Sequence, residues 1–174
     1  GITDASVADD ADGARRAIAG VLEKFGPVLV EEFIEGRELN VPLLGNTPPR
    51  VLPVSEIDFT GLAPGLPRIC GYEAKWEQTD ARYAGTVGIC PADLAARLRG
   101  QLEHWSTLAF TSLGLRDYAR IDWRLSPTLG LMALEANPNP DISPTSGFLR
   151  SIRAAGMDYR EFIARLLEET LSRA

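Results

Sequence analysis

Lysine, histidine and cysteine are scarce in this chain. Of 18 basic residues only Lys24 and Lys75 are lysines, and His104 stands alone. A single histidine excludes a multi-histidine zinc site, and two cysteines, Cys70 and Cys90, are too few for a disulfide framework. Both thiols read as small buried residues in a redox-neutral, cytoplasmic protein. Long apolar runs are missing too: stretches such as Val28-Leu29-Val30 fall far short of the ~20 residues that a membrane-spanning helix needs. The net charge is −6 and no Lys/Arg block interrupts it, which argues against a nucleic-acid partner and for small molecules. No signal peptide opens the chain, and Gly1-Ile2-Thr3-Asp4, without Met, begins as though cut from something longer.

What is present is one domain's worth of chain: 174 residues, 45% of them hydrophobic, enough to build a core. Residues 9–25 read as a helix capped by Asp9 or Asp10, with Ala14, Ile18, Val21, Leu22 and Phe25 on one face. Gly26-Pro27 stops it. Val28 to Glu32 reads as a buried strand, Glu38 to Leu44 as a second and Arg50 to Ile57 as a third. Pro42 and Pro53 push the last two toward sheet edges. Residues 58–90 are rich in Gly and Pro, a long loop of the kind that is often functional. Pro91 is expected to open a helix with Leu94, Leu98, Leu102, Trp105 and Leu108 facing the core, and His104 beside that stripe. Leu115 to Leu125 and Gly130 to Asn137 read as a hairpin. A short helix follows Ser143-Pro144. The last helix starts at Asp158 with Glu161 three residues on, a capping box. Helices and hairpins alternate irregularly, so the class is α+β or mixed α/β.

The hairpin carries the chemistry. Side chains alternate faces along a strand, so Arg120 and Asp122 share a face, as do Glu135 and Asn137. One antiparallel register places Asp122 opposite Glu135 and Arg120 opposite Asn137 at once. Ile121, Leu134 and Ala136 would then point the other way, into a core. Facing carboxylates repel unless something compensates. Arg120 does so partly; a divalent cation such as Mg²⁺ does it better, since these oxygens are hard ligands. The alternative is a solvated strand face with an ordinary Arg–Asp pair. Lys75 reads either as a cation for phosphate or carboxylate or as a solvated surface lysine.

Several motifs resemble a known family in order and spacing. Val28 to Leu39 resembles the "VLVEEFIEGRE" hinge of ATP-grasp ligases. Tyr72-Glu73-Ala74-Lys75, Cys90-Pro91-Ala92, Ala119-Arg120-Ile121-Asp122 and Leu134-Glu135-Ala136-Asn137 resemble the D-alanine–D-alanine ligase branch. The resemblance implies an α+β fold: the end of the central subdomain over 1–36, then the C-terminal ATP-grasp subdomain over 37–174, an antiparallel sheet with flanking helices. It implies adenine near Glu31, Glu32, Phe33 and Ile34, ribose at Glu38, and Lys75 reaching the γ-phosphate and a substrate carboxylate. Asp122, Glu135 and Asn137 would hold two Mg²⁺, with Mn²⁺ as a substitute. Arg120 would stabilise an oxyanion, and Ser146 would take the second substrate's carboxylate. The implied activity is ATP-dependent, ADP-forming ligation of a small carboxylate to a small amine through an acylphosphate, with the isolated fragment inactive. A nucleotide-binding module without ligase activity is the alternative, and a homodimer is left open.

Two departures concern the substrate. Asp141 stands where the family has glycine after proline, and Trp76 stands where tyrosine follows the loop lysine. A carboxylate at position 141 either repels an acidic group and disfavours D-alanyl-D-alanine as product, or points away and pairs with Arg150 or Arg153. Asp122→Asn and Glu135→Gln are both expected to abolish turnover and to leave metal-free stability equal or slightly higher, through relieved carboxylate repulsion.

Overall fold

The computed structural model describes residues 2–172. It divides into two units, residues 1–35 with 58–87 and residues 36–57 with 88–174. No helix among the described residues is long and apolar enough to cross a membrane.

In the first unit, α1 (Ala11–Phe25) begins where expected: the Asp10 carboxylate accepts the Gly13 N–H at 2.6 Å. The expected strand at Val28 to Glu32 does not form. Leu29 and Val30 are 79% and 63% exposed, and no neighbouring strand is present among the described residues to complete a ladder. The Gly-rich stretch carries two short helices, α2 (Tyr72–Trp76) and α3 (Ala81–Ala84). Both are tied to the chain's start. Tyr72 N–H donates to the Ile2 carbonyl at 2.8 Å, and Arg82 Nε donates to the Asp4 carboxylate at 2.7 Å.

The second unit is built on a sheet of β1 (Arg37–Leu44), β2 (Arg50–Val51), β3 (Ser55–Asp58), β4 (Val87–Ile89), β5 (Tyr118–Ser126) and β6 (Gly130–Asn137). Asp58 and Val87, at strand ends, fall in the first unit. The order is β4-β3-β1-β5-β6, with β2 also on β1; β1 pairs antiparallel with β2, β3 and β5, and β5 with β6. The class is α+β. Pro42 therefore lies in a central strand, not at an edge. Its carbonyl accepts Leu52 N–H at 2.9 Å, so its missing N–H faces the break between β2 and β3, where no ladder bond is required. Pro53 sits in that break, which splits the expected third strand in two.

Period-two alternation builds the core. Leu39, Val41 and Leu43 of β1 lie opposite Trp123, Ile121 and Ala119 of β5, all on one face. Leu102 and Phe110 of α4 (Ala96–Ser112) pack there. This helix starts five residues after Pro91. Ala92 N–H donates to the Val54 carbonyl at 2.8 Å, and Ala92 and Leu94 are buried two apart, as in an extended chain. Nor is Trp105 core: it is 47% exposed and stacks edge-on with exposed His104. Its place is taken by Ser106, whose Oγ accepts Trp123 Nε1–H at 2.9 Å. A second cluster joins Leu44 and Leu52 to Phe148, Leu149 and Ile152 of α5 (Gly147–Ala154) and Phe162 of α6 (Tyr159–Ser172). The α6 capping box forms, with Asp158 and Glu161 exchanging backbone-to-carboxylate bonds of 2.8 Å.

Ser106 and its indole partner supply a stability test. Ser106→Ala leaves the Trp123 indole N–H buried without an acceptor, so a loss of about 1–2 kcal/mol is expected, read as a lowered melting temperature. A variant that melts with wild type would refute the role given to this bond.

Candidate active site

The other face of the same strands is polar. On β1 it presents Glu38 and Asn40; on β5, Arg120, Asp122 and Arg124; on β6, Glu135 and Asn137. The hairpin register is the one the alternation demands: Asp122 opposite Glu135, and Arg120 opposite Asn137. One detail differs. The ladder shifts between Asp122 and Trp123, so that Trp123 faces Ala133 and Leu134 is the extra residue of a bulge. Leu134 is consequently 45% exposed rather than buried, while Ile121 and Ala136 face inward as expected.

Asp122 is the centre of this face, 7% exposed. Arg120 grips it with both arms, Nε to Oδ1 at 2.6 Å and Nη2 to Oδ2 at 2.7 Å. Asn40, directly opposite on β1, donates Nδ2–H to Oδ1 at 2.9 Å. Burial alone would lower the Arg120 pKa. The bond to Asp122 and the charges of Asp122, Glu135 and Glu38 outweigh it and hold the pKa above its ordinary value. Glu38, next along β1, takes Arg124 Nη2 at 2.9 Å, and Arg124 Nη1 also donates to the Gly36 carbonyl at 3.0 Å. Asn40 and Arg124 were not singled out in the sequence. The alternation that put Leu39, Val41 and Leu43 on one side already put Glu38 and Asn40 on the other. What it lacked was the neighbour: nothing in the sequence set β1 beside β5.

Glu135 is exposed and makes no hydrogen bond or ion pair among the described residues. Asn137 Oδ1 accepts the Asn139 N–H at 3.0 Å. No group of three or more His, Cys, Asp or Glu side chains is arranged to hold a metal among the described residues. The set here is two carboxylates and an amide. All are hard oxygen donors, and one or two carboxylates are what Mg²⁺ ordinarily takes from a protein when phosphates and water complete its shell. The residues fit that ion.

The remaining candidates are spread along the chain. Ser146 caps α5, its Oγ accepting Leu149 N–H at 3.2 Å, and is 8% exposed. Asp141 is exposed and closes its own turn, its oxygens accepting Ser143 N–H at 2.7 Å and Ser143 Oγ–H at 3.0 Å. It pairs with neither Arg150 nor Arg153; the latter donates to the Pro144 carbonyl at 2.5 Å. A local Asx-type turn satisfies the carboxylate before the helix can. Glu31, Glu32, Phe33, Ile34 and Lys75 belong to the first unit. The backbone groups of Glu32 and Ile34 make no hydrogen bond among the described residues, and Lys75, exposed on α2, makes no ion pair there.

A family model described as D-ala D-ala ligase C-terminus matches residues 5–168. The chain belongs to that family. Among its relatives, the D-alanine–D-alanine ligase of Desulfotalea psychrophila is 35% identical over 150 residues, which is 86% of this chain and 44% of that protein. The Sinorhizobium fredii protein y4sG, described as uncharacterized, is 32% identical over 158 residues, 88% of this chain and 44% of that protein. The D-Ala–D-Ala ligase C-terminal fold is also that of the D-alanine–D-alanine ligase from Bacillus anthracis complexed with ATP, at TM-score 0.73 and 20% identity over 94% of this chain and 47% of that one. The chain thus spans about half the length of the curated relatives it matches.

Proposed function

We propose that this chain is the C-terminal catalytic portion of an ATP-dependent carboxylate–amine ligase that forms an amide or peptide bond through an acylphosphate. The observation that carries the reading is the polar face centred on Asp122: Arg120, Asp122, Glu135 and Asn137 stand together in one register. Relatives named as ligases and a fold shared with an ATP-complexed ligase support it. In this reading residues 1–36 close the central subdomain and 37–174 form the C-terminal one, the whole acting in the cytoplasm.

Each residue then has a task. The open backbone groups of Glu32 and Ile34, with Glu31 and Phe33, receive the adenine edge. Glu38, fixed by Arg124, receives the ribose hydroxyls. Asp122, Glu135 and Asn137 would hold two Mg²⁺, or Mn²⁺ in its place, which would supply charge compensation for the phosphates; phosphoryl transfer needs positioning and charge compensation above all. Lys75 adds a positive charge to the transferred phosphoryl group. Arg120, kept protonated by its acidic neighbours, offers N–H donors to the oxyanion that develops as the amine attacks. Ser146 orients the amine substrate by its carboxylate.

The 174-residue chain alone should therefore show no ATP-dependent amide formation, whereas the complete ligase should release ADP only when both a carboxylate and an amine are supplied. Turnover by the isolated chain at about 1 per second or faster would overturn the assignment of a partial active site. ADP release that is indifferent to amine would overturn ligation itself.

A further inference from the structure

Arg150 is a cation without a counter-ion. It sits in the second turn of α5, partly buried, and its guanidinium forms no hydrogen bond or ion pair among the described residues. It lies against the Gly88 backbone. A Cβ added to Gly88 would lie 1.8 Å from Arg150 Nη1 and 2.4 Å from Cζ, so the guanidinium occupies the space that a side chain at position 88 would fill. Helical side chains lean toward the helix N-terminus, and Nη1 lies only 3.9 Å from where a Cβ on Gly147 would stand. Apart from the glycine's two chain neighbours and the helix's own backbone, nothing else comes within 4 Å of that point. One side of the guanidinium is thus closed by Gly88, and open space lies beside it at Gly147.

Neither the nearby Cys90 thiol nor Asp141 neutralises it. Burial raises the Cys90 thiol pKa above its ordinary value, against the lowering effects of Ser151 and of Arg150 itself, so the thiol stays uncharged. Asp141 spends both oxygens on Ser143. A partly buried guanidinium left unpaired is costly, and planar carboxylates match its fork geometry.

We propose that Arg150 is a specificity-determining residue that receives a second carboxylate on the amine substrate, making the preferred acceptor an acidic amino acid. The inference rests on the ligase reading above. There, Ser146, one turn before Arg150 on the same helix, takes the carboxylate that every amino acid has. Arg150 is a further positive charge and calls for a further negative one.

The test uses the complete ligase with aspartate, glutamate and alanine, each as both enantiomers, as acceptors. ADP release gives KM and kcat, and calorimetry with a non-hydrolysable ATP analogue gives binding without turnover. An acidic acceptor should show KM and Kd at least tenfold below alanine. Arg150→Met should erase that difference and leave alanine's constants unchanged, while Arg150→Lys should keep part of it. Should Arg150→Met melt early, Gly147→Leu provides the second probe: it fills the open space, keeps the charge, and should weaken the acidic acceptor tenfold. Alanine used as well as the acidic amino acids, or a loss shared equally by both, would overturn the assignment of Arg150 and leave ligation standing. Arg150-dependent binding of an acidic amino acid without ADP release would overturn ligation and leave Arg150 standing.

Discussion

Asp122→Asn is expected to destabilise the 174-residue chain by about 2–3 kcal/mol, whereas Glu135→Gln should leave its stability unchanged within about 0.5 kcal/mol. The sequence alone predicts the two to behave alike, both relieving carboxylate repulsion. The structure separates them. Asp122 is buried and accepts three short bonds from Arg120 and Asn40, so its amide removes the charge that holds a largely buried guanidinium. Removing one partner from such a pair costs more than the pair contributes, because the other charge is left behind. Glu135 is exposed and makes no hydrogen bond or ion pair among the described residues, so neutralising it relieves repulsion from Asp122 and gives up attraction to Arg120, two small and opposed effects. On the proposed ligase reading, both changes should abolish turnover by the complete protein, and both should remove the stabilisation expected from Mg²⁺ with ATP. Urea unfolding of the 174-residue chain measures the metal-free stabilities; ADP release by the complete protein, and its urea unfolding with and without Mg²⁺-ATP, measure the rest. Equal metal-free stability of the two variants would contradict the Arg120–Asp122 geometry, and a wild-type Mg²⁺-ATP shift in either would contradict the metal assignment.

The largest effect on folding is expected at Gly36. Its φ is 143°, a conformation that L side chains rarely adopt, and a Cβ there would stand 2.1 Å from the Leu125 carbonyl oxygen and 2.7 Å from its carbon. Both obstacles are backbone of the strand that pairs with β1, so neither can swing aside. Gly36→Ala should cost about 3 kcal/mol or more and lower the melting temperature by roughly 6–12 °C. Gly36 also offers its carbonyl to Arg124, so the displacement would reach the Arg124–Glu38 pair. Gly20, on an open face of α1 with nothing within 4 Å of its added Cβ, is the control: Gly20→Ala should stabilise by up to about 1 kcal/mol. Similar melting of the two variants would refute the steric account of Gly36.

Where local rules suffice, the sequence is readable. The caps at Asp10 and Asp158 and the hairpin between β5 and β6 depend on residues close in the chain, and the pairing of Asp122 with Glu135 follows from the local alternation of Arg120 with Asp122 and of Glu135 with Asn137, though not the bulge that precedes it. What depends on a distant neighbour is not. Pro42 looks like an edge residue until the break between β2 and β3 is seen beside it. Trp105 looks like core until Trp123 is seen to need Ser106 as an acceptor. Asn40 and Arg124 belong to the polar face only because β1 lies against β5, a pairing across more than 80 residues. Arg150 is ordinary in sequence and becomes notable only because Gly88 makes room for it.

The bulge at Leu134 sets the length of β6 apart from its pairing. Before it, Leu131 and Ala133 lie opposite Leu125 and Trp123 on the apolar side; after it, Glu135 and Asn137 lie opposite Asp122 and Arg120 on the polar side. Odd-numbered residues thus change face across a single position. In an uninterrupted ladder Leu134 would face Asp122, and Glu135 would be turned toward the core. Deleting Leu134 would let Ala133 be followed directly by Glu135, and every partner on both sides of the gap would be kept. A homologue one residue shorter at this point could therefore carry the same acidic pair on a smoother strand, and a gap placed there when chains are aligned is neutral with respect to chemistry.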